Sequence, residues 1–391
     1  MRKLTADRIY PVHQAPVDNG VLVIDEQGKI LSLDTSDQHD PATIERHDGI
    51  LVPGFINAHC HLELSHMKAK VNTGTGLIPF IRNVVQFRDF PEEVILKAIE
   101  EADQEMYDNG IVAVGDISNK MDTAQCKSKS PIQYYTFVEM FDFLQDAGAG
   151  AEFDKYYEVY KEQAEGQGNK KSCVPHAPYS VSKTLFAKIN DANAAPVTVS
   201  IHNQETPPEN QLFLNKAGDF LDFYSGFGIS LDQFEATGQA AIHYALENMD
   251  PQQRSLFVHN TLTTVADIQA AQAWSDQVYW ATCPNANLYI ENRLPNYQHF
   301  LDTNARLTIG TDSLTSNWQL SILEEMKTIQ RYQSYVDFET MLQWATLNGA
   351  EALGFDDKLG SLEVGKTPGI LLLEHMQDGH LTAQTSVRRL A

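Results

Sequence analysis

Pro53-Gly54-Phe55-Ile56-Asn57-Ala58-His59-Cys60-His61 is the stretch on which the reading of this chain turns. Two histidines stand at i and i+2, shortly after the apolar run Ile50-Leu51-Val52. Side chains alternate along a strand, so i and i+2 face one way. Two imidazoles aimed together at the end of a buried strand form half of a metal site, because neutral imidazole is the commonest metal ligand. Taken alone, an H-x-H pair also describes two unrelated loop histidines. The rest of the chain decides between the two.

Counting Ile50-Leu51-Val52 as the first, eight short apolar runs follow one another. The others are Ile111 to Val114, Ile132 to Val138, Ser172 to Val174, Val197 to Ile201, Leu256 to Val258, Val278 to Ala281 and Leu307 to Ile309. Amphipathic stretches lie between most of them, at Glu92 to Asn109, Gln211 to Phe223, Gln239 to Asn248 and Thr264 to Trp274. Strand–helix alternation of this kind predicts an α/β protein with a parallel sheet, and eight units predict a (β/α)8 TIM barrel over 51–354. A doubly wound open sheet is the alternative. The two chain ends share turn-then-strand patterns. Asn19-Gly20 leads into Val21-Leu22-Val23-Ile24, and the segment from Gly360 to Lys366 leads into Ile370 to Leu373. They predict a small β-sandwich domain formed from both termini, 1–50 with 355–391.

Nearly every apolar run ends in a residue capable of chemistry. In order these are His59 and His61, Asp116, Glu139, His176, His202 followed by Glu205, His259-Asn260, Cys283-Pro284-Asn285-Ala286-Asn287, and Asp312. Barrel active sites gather at the C-terminal ends of the strands, so this placement favours a barrel with a metal-dependent site. His59, His61 and His202 offer nitrogens and Asp312 a carboxylate, leaving room for water. Such a metal lowers the pKa of its water to about 7. Asp312 is then placed to take a proton, Glu205 to carry one to a leaving group, and His259 to orient the attacking oxygen. No lysine ends the run at Val174-Pro175-His176, so a lysine-bridged pair of metals is not expected. We expect one divalent metal ion, zinc first, with iron or manganese as alternatives.

The formal net charge of −23 sets aside nucleic acid and anionic membranes as partners and leaves a small-molecule substrate. Four scattered cysteines without a C-x-x-C pair fit a reducing compartment. With no apolar leader in Met1 to Arg8 and no long apolar span, a cytoplasmic location is the expectation. Composition leaves a homodimer open.

The ordered set Pro53 to His61, His202-x-x-Glu205, His259, Cys283-Pro284-Asn285 and Gly310-Thr311-Asp312-Ser313 resembles the amidohydrolase superfamily. The resemblance is to the metal-dependent chlorohydrolase and deaminase branch, sometimes called cytosine-deaminase-like, and it includes the Gly360 to Lys366 segment. His61-Leu62-Glu63-Leu64-Ser65 is similar to a run in aminodeoxyfutalosine deaminases. The resemblance implies a mononuclear site in which His59, His61, His202 and Asp312 bind metal. It also implies that Glu205 shuttles protons and His259 contacts the attacking water. The implied activity is that of a metal-dependent aminohydrolase, which attacks an amino-substituted heterocycle or nucleoside with hydroxide and releases ammonia. Candidate substrates include aminodeoxyfutalosine or another adenosine-like compound. Glu63, His176, Asn285, Asn287, Ser316 and Asn317 are expected to line the substrate pocket. Two alternatives stay open: an imidazolonepropionase-like cyclic amide hydrolase, and a non-catalytic metal-binding scaffold.

Overall fold

The computed structural model describes residues 1–163, 166 and 168–391. Eight parallel strands form the barrel, the last seven carrying the apolar runs from Ile111 onward: β1 (Phe55–Cys60), β2 (Ile111–Ile117), β3 (Gln133–Met140), β4 (Lys170–Pro175), β5 (Thr198–Asn203), β6 (Arg254–His259), β7 (Val278–Thr282) and β8 (Leu307–Ile309). β1 to β4 pair in sequence order as one four-stranded sheet and β5 to β8 as a second. Two seams join these sheets into a closed ring. At one, His202 N–H donates to His176 O at 2.9 Å. At the other, Thr311 N–H and Asp312 N–H both donate to His59 O at 3.0 Å. Asn57 clamps the second seam, its Nδ2 donating to Thr311 Oγ1 at 2.8 Å and its Oδ1 accepting from Thr311 N at 3.0 Å. Gly310 is required here by close approach: an added Cβ would lie 2.8 Å from His59 O. The strands are buried on both faces, as parallel sheets covered by helices are.

Two departures from the sequence reading bear on the site. The run Ile50–Pro53, read as the first barrel strand, instead pairs antiparallel with Ile370–Glu374 and parallel with Arg8–Ile9. The barrel therefore starts at Phe55, on the far side of the Pro53-Gly54 break. Hydrophobicity alone does not distinguish two consecutive buried strands, since both are continuous apolar runs. The stretch Gln211 to Phe223, expected as one helix, is two, Pro207–Asn215 and Phe220–Gly226. Lys216 takes a left-handed φ of 51° and Gly218 a φ of 90°, so the chain turns between them.

Both termini supply strands to two further sheets. One holds Ile30–Thr35, Gly20–Ile24, Arg2–Thr5 and Glu45–Arg46, and the other Ser386–Arg389, Ile370–Glu374, Ile50–Pro53, Arg8–Ile9 and Val17–Asp18. Leu4, Leu22, Ile24 and Ile30 of the first pack with Ile9, Leu51, Ile370 and Leu372 of the second in a separate apolar cluster. No helix of the described residues is long and apolar enough to cross a membrane.

Candidate active site

β1 ends in an irregular register, which shifts between Asn57 and Cys60 against β2. Bulges of this kind re-aim side chains beside active sites. Here His59 Nε2 and His61 Nε2 come to 3.1 Å of one another, and His61 Nε2 to 3.3 Å of His202 Nε2 from β5. Asp312, just past β8, brings Oδ1 to 3.4 Å from His61 Nε2 and 3.7 Å from His59 Nε2. His259 ends β6, and both it and Asp312 take left-handed backbone, φ 73° and 57°. Non-glycine residues adopt that region at a cost, and such residues cluster at functional sites.

Hydrogen bonds leave the inward nitrogens free to act as lone-pair donors. His202 Nδ1 donates to His176 O at 2.8 Å and lies 3.2 Å from Glu139 Oε1. His259 Nδ1 donates to Asn287 Oδ1 at 2.8 Å. Ser316 Oγ donates to Asp312 Oδ2 at 2.6 Å, leaving Oδ1 toward the histidines. A tetrahedron of zinc–nitrogen bonds has edges of about 3.3 Å, close to the spacing of these nitrogens. His59, His61 and His202 are mutually within ligating distance, as are His59, His259 and Asp312. The cluster can therefore hold a metal ion.

The electrostatics agree with a cation at this point. Burial, reinforced by neighbouring imidazoles, holds His59 neutral, far below the usual histidine range. Burial likewise lowers His61 and His259 to about 4. His202 differs: burial opposes its charge, but Glu139 overrides burial and raises it to about 9. Glu139 itself is pulled down to about 2, because surrounding histidines outweigh its burial. Three imidazoles are thus held neutral, with lone pairs available to a metal, and the ionised Glu139 stands behind His202. Glu205, whose Oε1 is 3.8 Å from His259 Nε2, is raised by burial to about 8.

These side chains form the floor of a cavity of about 500 Å³. His61, Glu139, His176, His202, Glu205, His259 and Asp312 line it from the strand ends. Its upper walls are apolar. Leu77, Phe80, Ile81, Val84 and Val85 come from the helix Leu77–Phe87, and Phe223 and Tyr224 from Phe220–Gly226, with Phe227 following.

The sequence matches the amidohydrolase family over residues 50–387. The chain belongs to that family. It is 26% identical over 323 residues to the adenosine deaminase of Helicobacter pylori, covering 82% of this chain and 77% of that protein. It is 26% identical over 359 residues to the aminodeoxyfutalosine deaminase of a Nitratiruptor species, covering 88% and 85%. The solved structure of Helicobacter pylori aminofutalosine deaminase in complex with methylthio-coformycin matches its fold with a TM-score of 0.79, at 21% identity, over 98% of this chain and 94% of that one.

In this amidohydrolase the residues expected around the substrate divide into two groups. Glu63 and His176 line the cavity. Burial raises Glu63 to about 7 against the backbone N–H of Asn119, which donates to it at 2.9 Å. His176 Nδ1 lies 2.6 Å from Ser180 Oγ. Asn285, Asn287, Ser316 and Asn317 stand behind the lining instead. Asn287 and Ser316 orient His259 and Asp312, as above. Asn285 and Asn317 donate to Glu325, at 3.0 and 2.8 Å, tying the β7 loop to the β8 loop. Nearness in sequence to a site motif does not say which way a side chain points.

Two carboxylates to which sequence reasoning assigns no role also support the site. Glu139 ends its apolar run, but its residue type alone does not separate a support from a ligand. Glu209 is fully buried, and its oxygens accept the backbone N–H groups of Gln204 at 3.0 Å and Glu205 at 2.9 Å. Its sequence signal is the Pro207-Pro208 helix start, which places it one turn beyond Glu205.

Proposed function

We propose that this amidohydrolase is a metal-dependent deaminase of an adenosine-like compound, with His59, His61, His202 and Asp312 as the metal ligands. The observation that carries the reading is the convergence of His59, His61, His202 and Asp312, with the buried Glu205 beside His259, at the floor of a largely apolar cavity. A divalent metal, zinc by the fit of its donor set, supplies Lewis-acid activation of water when bound. Glu205 holds its proton at neutral pH and is placed to donate it to a ring nitrogen, which makes the adjacent carbon electrophilic. His259, held by Asn287, orients the oxygen that attacks that carbon. Asp312, held by Ser316, accepts one proton from that oxygen and passes it to the departing amine, so that ammonia leaves, and the second proton of that oxygen restores Glu205. Glu63 is placed to accept hydrogen bonds from a sugar. The apolar walls suit a nucleoside whose far end is bulky and apolar, and relatives that bear the names adenosine deaminase and aminodeoxyfutalosine deaminase support the adenosine-like core.

Ammonia release from adenosine, 5′-deoxyadenosine, 5′-methylthioadenosine and aminodeoxyfutalosine tests the proposal. We expect higher kcat/KM for compounds with an apolar or aromatic 5′ arm than for adenosine. Release from none of them, with cyclic amides hydrolysed instead, would overturn it.

A further inference from the structure

The proposed reaction makes no use of a buried ion pair in the barrel wall. Lys127 Nζ lies 2.6 Å from Asp116 Oδ2, and the two side chains are 3% and 0% exposed. Every ammonium proton has an acceptor, since Nζ also donates to Ser118 Oγ at 3.0 Å and Thr136 Oγ1 at 3.1 Å. The Tyr134 ring centre is 5.5 Å away. A pair of this kind is a poor way to stabilise a fold. Removing two charges from water costs more than their attraction commonly returns, and an apolar pair of similar volume often does as well or better.

The second carboxylate oxygen suggests what the pair is for. Asp116 Oδ1 accepts the backbone N–H of Leu62 at 2.7 Å. Leu62 separates His61 from Glu63 and opens the 3-10 turn Leu62–Met67, so its amide has no partner within that turn. The chain beyond Asp116 reaches the other side of the same tripeptide. Ser118 Oγ donates to Asp116 Oδ2 at 3.2 Å, and the N–H groups of Asn119 and Lys120 donate to Glu63 Oε2 at 2.9 and 3.3 Å. One charged network therefore grips both sides of His61-Leu62-Glu63. An ionised acceptor also makes a shorter and stronger hydrogen bond to an amide than a neutral one does.

We propose that the Asp116–Lys127 pair is a positioning strut, which fixes the Leu62 amide and thereby aims His61 into the metal cluster and Glu63 over the cavity. This rests on the reading of His61 as a metal ligand. The test compares Zn²⁺ affinity, by chelator competition, and the visible absorption of the Co²⁺-loaded protein across three variants. His61→Ala tests the ligand reading by itself, and unchanged Zn²⁺ affinity there would end that reading. Asp116→Leu/Lys127→Met replaces the pair with an apolar one. We expect it to melt near the wild-type temperature, to bind Zn²⁺ about 10- to 100-fold more weakly, and to show an altered Co²⁺ spectrum. Asp116→Asn/Lys127→Met is also neutral but keeps an amide oxygen for Leu62 N–H, and we expect it to bind Zn²⁺ more tightly than the Leu/Met variant and more weakly than the wild type. If His61→Ala loses metal while the Leu/Met variant binds as the wild type does, the strut is refuted. It is equally refuted if both double variants are weakened alike, since the acceptor at Leu62 would then be irrelevant. Should the Leu/Met pair not fold, Asp116→Ala/Lys127→Met takes its place in the same comparison.

Discussion

Glu205 shows how a residue's surroundings set its chemistry. A solvated glutamate is ionised at neutral pH, whereas this one keeps its proton to about 8 because burial disfavours the charge. Its protonated form is the competent one in the proposed reaction, so kcat/KM is expected to fall as pH rises through that value. Glu205→Gln keeps the size of the side chain and removes the transferable proton. It is expected to retain its metal by elemental analysis and to lose about 10²- to 10⁴-fold in kcat. The fall with pH should vanish from its residual rate, and a limb that persists belongs to another group. Glu209→Gln puts an amide N–H₂ toward one of two backbone N–H groups. It is expected to cost about tenfold in kcat, with metal content unchanged, because it moves Glu205 and not the ligands. At this scale the sequence exposed the residues whose type is itself informative, the histidines, Glu205 and Asp312. It did not expose Glu209, whose role depends on which amides its oxygens reach.

The strand ends are the elements that make the site, and the helices above them wall its cavity. The irregular register of β1 brings His59 and His61 together, and the left-handed residues at the ends of β6 and β8 turn their side chains inward. The strands are legible because their runs are apolar and bounded by turn residues. The helix Leu77–Phe87 is one that the apolar runs and amphipathic stretches named from the sequence do not include, although its apolar residues share one half of its surface. Leu77, Ile78 and Phe80 are buried, while Val85 and Phe87 remain 48% and 47% exposed. The outer face has a use once the cavity is seen, because Val84 and Val85 face it together with the half-exposed Phe227. Val84→Ala and Phe227→Ala are expected to raise KM severalfold for substrates with an apolar 5′ arm, since each methylene of substrate left in water weakens binding by about 0.8 kcal/mol. Steady-state kinetics on adenosine beside 5′-methylthioadenosine checks this. An equal loss on both substrates would place the wall outside the specificity site.

At the scale of the whole molecule, metal and fold are linked. The proposed ligands come from β1, β5 and the end of β8, so a bound ion would tie the β1–β4 sheet to the β5–β8 sheet. A ligand present at a thousand times its Kd stabilises the folded state by about 4 kcal/mol. Chelator-treated protein is therefore expected to melt at a lower temperature, and Zn²⁺ to restore both melting temperature and deamination. Identical melting curves with and without metal would count against ligands drawn from across the barrel. The sequence by itself determined the barrel, the order of its polar strand ends, and the residue types suited to binding a metal or moving a proton. These are properties of local pattern: alternation of apolar runs with helices, and histidines at fixed offsets from them. Only the tertiary structure decided that Ile50–Pro53 belongs to a different sheet and that Asn285, Asn287, Ser316 and Asn317 stand behind the cavity. The same is true of Glu139 and Glu209 as supports of the site. Each of these depends on which distant groups a side chain or strand meets, and a hydrogen bond between residues far apart in the chain leaves no periodicity in the sequence to read.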